Sequence, residues 1–277
     1  MLPRIKSFDN QSMKVSPWQR RIQRAEYLAN EYSFASEILG FYARIARFQE
    51  DLYGRLESES EKLTRSTDYA SGPPELQALI SSFSPFLSVV EKHGPARLTA
   101  IAQELRGLSP ESWSQLLDAS WNTTESNPAP EEFLARAFLQ PYAELLRLRS
   151  NMTLDGYNHP LCPFCGRKPG LGVLRPQGDG ARRCLACSFC LAEWEFRRIL
   201  CPGCGEENNS KLPVYTASDF DYLRVECCDT CKTYIKSVDL SKNGLAEPMV
   251  DEMAAAPLDL WAQQHGYSKL QLNLMGI

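Results

Sequence analysis

All ten cysteines of this 277-residue chain lie after residue 160, and eight of them form four Cys-x-x-Cys pairs. Thiols stay reduced in the cytoplasm, so paired cysteines there indicate metal or redox sites rather than structural disulfides. Because a closed thiolate site uses four cysteines, eight of them predict two tetrahedral metal sites. The predicted ligands are Cys162, Cys165, Cys187, Cys190, Cys201, Cys204, Cys228 and Cys231.

The pairs are spaced as an internal repeat. Each Cys-x-x-Cys pair predicts a tight turn, here called a knuckle, and glycines after Cys165 and Cys204 permit the positive φ such a turn needs. Extended segments between the knuckles predict two hairpins, each followed by a further strand. Sequential pairing closes the shorter loops, which favours sites of 162/165/187/190 and 201/204/228/231, while interleaved pairing stays open. The predicted strands lie near 171–174, in the stretch up to residue 184, and near 192–196, 212–216, 222–226 and 233–238.

Two cysteines are left over. We interpret Cys184 and Cys227 as small buried apolar side chains, although Cys184 is also spaced as an alternative ligand to Cys187. The run Cys184-x-x-Cys187-x-x-Cys190 resembles part of an iron–sulfur motif, but the next cysteine is too distant to complete it. Four thiolates accept either iron or zinc. Such a closed site has no position for a substrate water, which argues against a hydrolytic metal centre.

The cysteine-free part of the chain has the periodicity of helices. Apolar residues recur at three- and four-residue steps from about 18 to 56, which predicts one long helix or two. Further helices are predicted near 75–92, 95–106, 110–121 and 130–150, and the polar stretch 58–74 between the first two is expected to be exposed. No catalytic constellation lies in this part, and Glu131-Glu132 fits a helix's first turn.

These patterns predict an α+β protein of four units. They are a helical domain over 1–155, two rubredoxin- or zinc-ribbon-like modules over 156–200 and 201–247, and a C-terminal helix and tail over 248–277. The closing helix is predicted at 248–266, with Pro257 kinking it. His159 and His265 are interpreted as a loop residue and a helix-end cation rather than ligands.

Charge and hydropathy exclude several functions. The formal net charge is −4 and the sequence pI is about 5.6, which speaks against a nucleic-acid binder, although arginines are concentrated between residues 167 and 198. No segment approaches 18 consecutive apolar residues, and no signal-peptide core is visible near the start. A cytoplasmic protein without membrane insertion is therefore expected.

The cysteine-rich part resembles the formate dehydrogenase accessory protein family, the FdhE-like proteins. The matching segments are CPFCGRKP, CSFCLAEWEFRRILCPGCG and LRVECCDTCKTYIKSVDL, followed by the ending VDEMAAAPLDLWAQQHGYSKLQLNL. The resemblance covers about residues 160–275, and Cys184 and Cys227 are additions to the family pattern.

The resemblance implies a cytoplasmic assembly factor and not an enzyme. Its implied partner is the formate dehydrogenase catalytic subunit, and its implied cofactor is iron in rubredoxin-like sites, with the eight paired cysteines as ligands. Two other functions stay open from the residues. One is a rubredoxin-like electron-transfer protein, and the other is a zinc-ribbon protein that binds nucleic acid.

Overall fold

The computed structural model describes residues 15–59, 76–124 and 129–276. Eight α-helices and seven β-strands lie in these ranges. The helices are α1 (Pro17–Glu31), α2 (Ser36–Glu59), α3 (Leu76–His93), α4 (Ala96–Arg106), α5 (Pro110–Asn122), α6 (Pro130–Arg149), α7 (Pro248–Ala254) and α8 (Ala256–Gln264). The strands are β1 (Leu171–Gln177), β2 (Gly180–Ala186), β3 (Glu193–Glu195), β4 (Val214–Thr216), β5 (Leu223–Cys228), β6 (Thr233–Asp239) and β7 (Ser268–Lys269).

Local capping explains where several helices begin. The side chain of Ser16 accepts a hydrogen bond from the amide of Gln19 ahead of α1, and Ser109 does the same for Ser112 ahead of α5. Each of these helices has a proline in its first turn, where the missing amide hydrogen costs nothing. The periodic segment 18–56 forms two helices, because the chain is extended at Tyr32 and passes through a short 3₁₀ turn before α2.

Helices α1 to α6 form a helical region around an aromatic and aliphatic core. Phe83, Phe86 and Phe138 are fully or almost fully buried there, with ring centroids 5.0 to 6.2 Å apart. Such tilted and offset contacts add to the burial of apolar area that holds a helix bundle together. Most of the predicted exposed stretch 58–74 falls outside the described residues. In the part of the chain that the structure describes, every helix is too short or too polar to cross a bilayer.

Six strands form one continuous sheet in the order β3-β2-β1-β6-β5-β4, and β7 pairs with β6. Each predicted module contributes three antiparallel strands, and the two sets are joined by parallel pairing of β1 with β6. The join is close at Gly172, where a Cβ would lie 2.1 Å from the hydroxyl oxygen of Ser237. A single sheet therefore carries both cysteine clusters.

The C-terminal segment forms two helices rather than the single kinked helix predicted at 248–266. Helix α7 ends at Ala254, and Ala255 leaves the helical conformation with a ψ of 38° before α8 begins. Pro257 lies in the first turn of α8, where proline is tolerated, and so it follows a break instead of kinking a continuous helix. The α+β fold class is confirmed: a helical region, a sheet region with two four-cysteine clusters and C-terminal helices.

Candidate metal centres

The first cluster consists of Cys162, Cys165, Cys187 and Cys190, whose sulfur atoms all lie within 4.8 Å of one another. The Sγ atoms of Cys162 and Cys190 are 3.4 Å apart, as are those of Cys165 and Cys187. A disulfide would require about 2.05 Å. A tetrahedron with metal–sulfur bonds of about 2.3 Å has edges of about 3.8 Å, so these separations fit four ligands around one ion.

The second cluster consists of Cys201, Cys204, Cys228 and Cys231, again with all sulfur atoms within 4.8 Å. Here the Sγ atoms of Cys201 and Cys231 are 3.7 Å apart, and those of Cys204 and Cys228 are 3.6 Å apart. The grouping in both clusters follows the order of the knuckles along the chain. Two identical donor sets of this geometry suit zinc or iron, and four protein ligands fill a tetrahedral coordination sphere.

Cys184 and Cys227 lie outside both clusters, on strands β2 and β5. Both are buried in the apolar layer between the sheet and the C-terminal helices. Burial raises the pKa of Cys184 to about 11 and that of Cys227 to about 12, so both thiols are neutral at physiological pH. Of the alternatives near the second pair, the structure brings Cys187 and not Cys184 to the first cluster.

All four knuckles share one backbone feature. The residue after the second cysteine has a positive φ in each, at Gly166, Leu191, Gly205 and Lys232, with values between 55° and 78°. The amide of that residue donates to the carbonyl of the first cysteine in three of the knuckles, at 2.8 to 3.0 Å. This turn aims two sulfur atoms at the same point. The glycines signalled it in the sequence, whereas Leu191 and Lys232 carried no such signal.

Contacts within the first cluster shift the pKa values of Cys165 and Cys187 in opposite directions. Hydrogen bonds with Cys162, Cys187 and Cys190 hold the pKa of Cys165 well below its usual value. Hydrogen bonds with Cys162 and Cys165, together with burial, raise the pKa of Cys187. One negative charge is therefore stabilised in the first cluster while further ionisation is opposed. A bound divalent cation would remove this opposition and release the remaining protons, as metal binding to thiols does.

The first cluster is packed against the helical region. Cys162, Cys187 and Cys190 are each at most 2% exposed and belong to the same apolar core as helices α1 to α6. Helix α6 donates two side-chain hydrogen bonds into the second knuckle of this cluster, from Gln140 to the carbonyl of Ser188 and from Arg147 to that of Cys190. No sequence motif predicted these contacts.

Arg167 is a buried link between the first cluster and α5. Its guanidinium donates to the carbonyls of Ser120 and Trp121, at 2.9 Å each, where α5 approaches its end. It also lies 4.0 Å from the ring centroid of Phe189, inside the second knuckle of the cluster. A cation at a helix C-terminus complements the orphan carbonyls there. Arg167 is therefore not part of a solvated basic face, since it is only 3% exposed.

The second cluster lies nearer the surface. Cys201 and Cys228 are buried, Cys231 is partly exposed, and Cys204 is exposed together with the glycines on either side of it. The contacts around this cluster come from its own module and the C-terminal segment. The thiol of Cys231 is 3.0 Å from the Thr233 hydroxyl.

The arginines of the first module are largely engaged in ion pairs. Each of four pairs joins an arginine to a glutamate: Arg175–Glu193 at 2.7 Å, Arg182–Glu195 at 3.5 Å, Arg183–Glu226 at 2.7 Å and Arg197–Glu207 at 2.7 Å. These carboxylates neutralise much of the local positive charge, and the nucleic-acid hypothesis therefore loses its main support.

The histidines are placed away from both clusters. The backbone carbonyl of His159 accepts from the indole of Trp194, and the ring of His159 lies beside Tyr157. His265 follows α8 as its C-terminal cap and stacks on Trp261 with centroids 4.2 Å apart. Among the described residues, the groups of three or more histidine, cysteine or acidic side chains that could hold a metal are the two cysteine clusters.

A buried charge network fixes the second module to the C-terminal segment. Lys236 on β6 pairs with Glu252 at 3.0 Å and with Asp259 at 2.5 Å, and Lys269 pairs with the same two carboxylates at 2.5 and 3.2 Å. Asn273 also donates to Glu252. Each of these side chains is almost fully buried, so every charge needs the partners it has here.

Comparisons with known proteins match this architecture. The family model described as FdhE, central domain, matches residues 161–198, and the one described as FdhE, C-terminal domain, matches residues 199–275. Each of the two cysteine clusters falls within one of these matches.

Curated relatives extend the similarity over nearly the whole chain. The chain is 28% identical to the Protein FdhE homolog of Aquifex aeolicus (strain VF5), over 92% of this chain and 94% of that protein. It is 27% identical to Protein FdhE of Escherichia coli (strain K12), over 99% of this chain and 89% of that protein.

A solved structure shares the fold. The crystal structure of the FdhE protein from Pseudomonas aeruginosa superposes with a TM-score of 0.65 and 24% sequence identity, covering 94% of this chain and 96% of that one. The resemblance seen in the cysteine motifs is thereby confirmed. Residues 161–275 thus match the FdhE family models, and the similarity to FdhE proteins extends over nearly the whole chain.

Proposed function

We propose that this chain is an accessory protein for the maturation of formate dehydrogenase, which acts in the cytoplasm and binds the catalytic subunit of that enzyme. Each four-cysteine cluster holds one iron or zinc ion, and the eight cysteines of the two clusters are the ligands. The observation that carries the proposal is the pair of closed thiolate clusters on the sheet of a chain that matches the FdhE family models.

The donor sets support a binding role rather than turnover. Four cysteine sulfurs surround each candidate ion position at separations that suit tetrahedral coordination. A hydrolytic centre keeps one position for water or substrate, and neither cluster provides one within a four-ligand sphere. The metal would supply structural cross-linking, or one-electron chemistry if it is iron. We therefore assign the chain no reaction of its own.

Capture from the native host tests the proposal. The affinity-tagged chain is purified without oxygen, and the captured proteins and bound metals are measured in the same sample. We expect the formate dehydrogenase catalytic subunit and two metal ions per chain. The proposal is overturned if the subunit is never captured and deletion of the gene leaves formate dehydrogenase fully active.

Electron transfer is a second candidate function, and the exposure of Cys204 favours it. A thiolate ligand at the surface brings a redox centre close to a docked partner. This candidate predicts coloured, iron-loaded protein that bleaches reversibly with a reductant. Colourless protein that holds only zinc when purified from the native host would exclude it, since zinc has no redox chemistry.

A further inference from the structure

We infer that the two clusters differ in how readily they release their ions. The first retains its ion as part of the folded core, and the second exchanges its ion with solution ligands through Cys204. The inference rests on the metal sites of the proposed function. The class of ligand that would compete at the second cluster is a small external thiolate or chelator.

The first observation is the residue directly before the second cysteine in each CPxCG knuckle. In the first cluster this residue is Phe164, which packs against the helical core beside the partly exposed Cys165. In the second cluster it is Gly203, which is exposed along with Cys204. A Cβ at this position would lie 3.0 Å from the Thr233 hydroxyl, so a larger residue would require that side chain to shift. With glycine here, no side chain at position 203 covers Cys204.

The second knuckles differ in the same direction. The first cluster has Phe189, which is 3% exposed. Its ring centroid lies 5.6 Å from that of Trp121 on α5. At the equivalent position the second cluster has Thr230, an exposed residue whose hydroxyl donates to the carboxylate of Glu206. One cluster is therefore covered by aromatic rings and the other by small polar groups.

The third observation is the surroundings of each cluster. Opening the first cluster separates residues that share an apolar core with six helices, and it breaks the hydrogen bonds from Gln140 and Arg147. Opening the second cluster at Cys204 disturbs an exposed loop. Local opening costs little where few buried contacts are lost, so ligand exchange is faster there.

The exchange step is a ligand substitution without a change of oxidation state. The sulfur of an external thiolate would form a bond to the ion as the bond from Cys204 breaks, and the released Cys204 thiolate takes a proton from water. Repetition at the partly exposed Cys231 would follow, and the buried Cys201 and Cys228 would leave last. Cys204 is therefore the first residue expected to become free.

Metal release from the full chain tests the inference. Protein loaded with two zinc ions is mixed with the chelator 4-(2-pyridylazo)resorcinol, and the coloured complex is followed with time. We expect two phases of equal amplitude, the first about tenfold faster or more. In Cys204→Ser only the fast phase should change. It should be lost or become too fast to resolve. Cys165→Ser, the matched variant, should leave the fast phase unchanged.

Alkylation of the wild-type chain gives a second measurement that does not depend on any variant folding. A short pulse of N-ethylmaleimide in the presence of the chelator, followed by peptide mapping, should label Cys204 before any cysteine of the first cluster. Equal release rates for two bound ions, or first labelling at Cys165, would overturn the inference. A chain that binds no metal at all would instead overturn the metal sites of the proposed function.

Discussion

Arg167 and Glu206 occupy the same position, two residues after the second cysteine of a CPxCG knuckle, but they contact different parts of the molecule. Arg167 is buried and bonds the carbonyls of Ser120 and Trp121 on α5. Glu206 is partly exposed and accepts hydrogen bonds from its own loop and from Thr230. The repeat therefore preserves the chain path around four sulfurs, while the residues beside the knuckles decide what each cluster is attached to.

The two modules are also held in place by different forces. The first shares an apolar core with the helical region, and burial of carbon surface stabilises it. The second shares a separate apolar layer with α8 and is also joined to α7, α8 and the C-terminal segment by the charges of Lys236, Glu252, Asp259 and Lys269. Apolar contacts are nearly independent of pH, whereas ion pairs depend on it. The difference predicts distinct responses of the two modules to mutation and to acid.

The largest effect on the free energy of unfolding is expected at Arg167, which attaches the first module to the helical region. Arg167→Ala removes two hydrogen bonds from a charged donor and the contact with Phe189, and it leaves two carbonyls of α5 without their partner. We expect the free energy of unfolding to fall by about 4 kcal/mol. Denaturant titration followed by circular dichroism at 222 nm measures this loss.

The matched variant in the second module is Glu206→Ala. Its carboxylate lies in a solvent-accessible loop, so we expect a much smaller change in the free energy of unfolding than in Arg167→Ala. Equal losses in the two variants would contradict the view that only the first knuckle is a structural attachment to the helices.

Sequence patterns predicted the parts of this structure that depend on neighbouring residues. The prolines that begin α1 and α5 and the serine ahead of α5 are local signals, because they act within one turn of helix. The spacing of the cysteines indicated knuckles and hairpins for the same reason. The identity of residues inside the knuckles also contained the difference between the clusters, since Phe164 and Phe189 contrast with Gly203 and Thr230.

What the sequence did not predict depends on pairing between distant segments. The parallel join of β1 with β6 leaves only a small residue, Gly172, where Ser237 approaches, and one glycine has many other interpretations. The burial of Arg167 depends on carbonyls more than 40 residues away along the chain. The break at Ala255 lies where the distant Lys236 donates to the carbonyls of Glu252 and Ala255.

Acid should act on the attachment of the second module. Burial opposes ionisation of Glu252, but Lys236 and Lys269 outweigh it and lower its pKa from an ordinary value of 4.5 to about 2. A carboxylate with a lowered pKa stabilises the fold above its unfolded pKa, and that stabilisation is lost as the pH falls through the folded pKa. We therefore expect a loss of about 3 kcal/mol between pH 4.5 and pH 2 from this group.

The variant Glu252→Gln isolates that contribution. Its deficit in unfolding free energy relative to the wild type should be largest above pH 4.5 and should shrink as the pH falls through 2, because the wild-type side chain at 252 then also loses its charge. The control is Glu195→Gln on β3, whose exposed carboxylate should give the same pH profile as the wild type. A deficit that stays constant with pH would show that the charges do not hold the module.

The smallest effect concerns backbone strain that is present in both modules. Lys232 and Leu191 adopt a positive φ that suits glycine, at 55° and 56°. Lys232→Gly relieves this backbone strain and loses a surface ion pair with Asp229 and a contact with the ring of Tyr267, so we expect a gain in unfolding free energy of up to about 1 kcal/mol.

Two further variants assign the cause of that gain. Lys232→Ala removes the same ion pair but keeps a side chain at positive φ, so its stability should not rise above that of the wild type. Leu191→Gly relieves the same strain but loses contacts with the helical side of the molecule, because Leu191 is only partly exposed and lies beside Arg21 and Tyr42. We expect no net gain there. A gain in Leu191→Gly as large as that in Lys232→Gly would mean that the first module is packed no more tightly than the second at this position, and it would weaken the distinction between the two clusters.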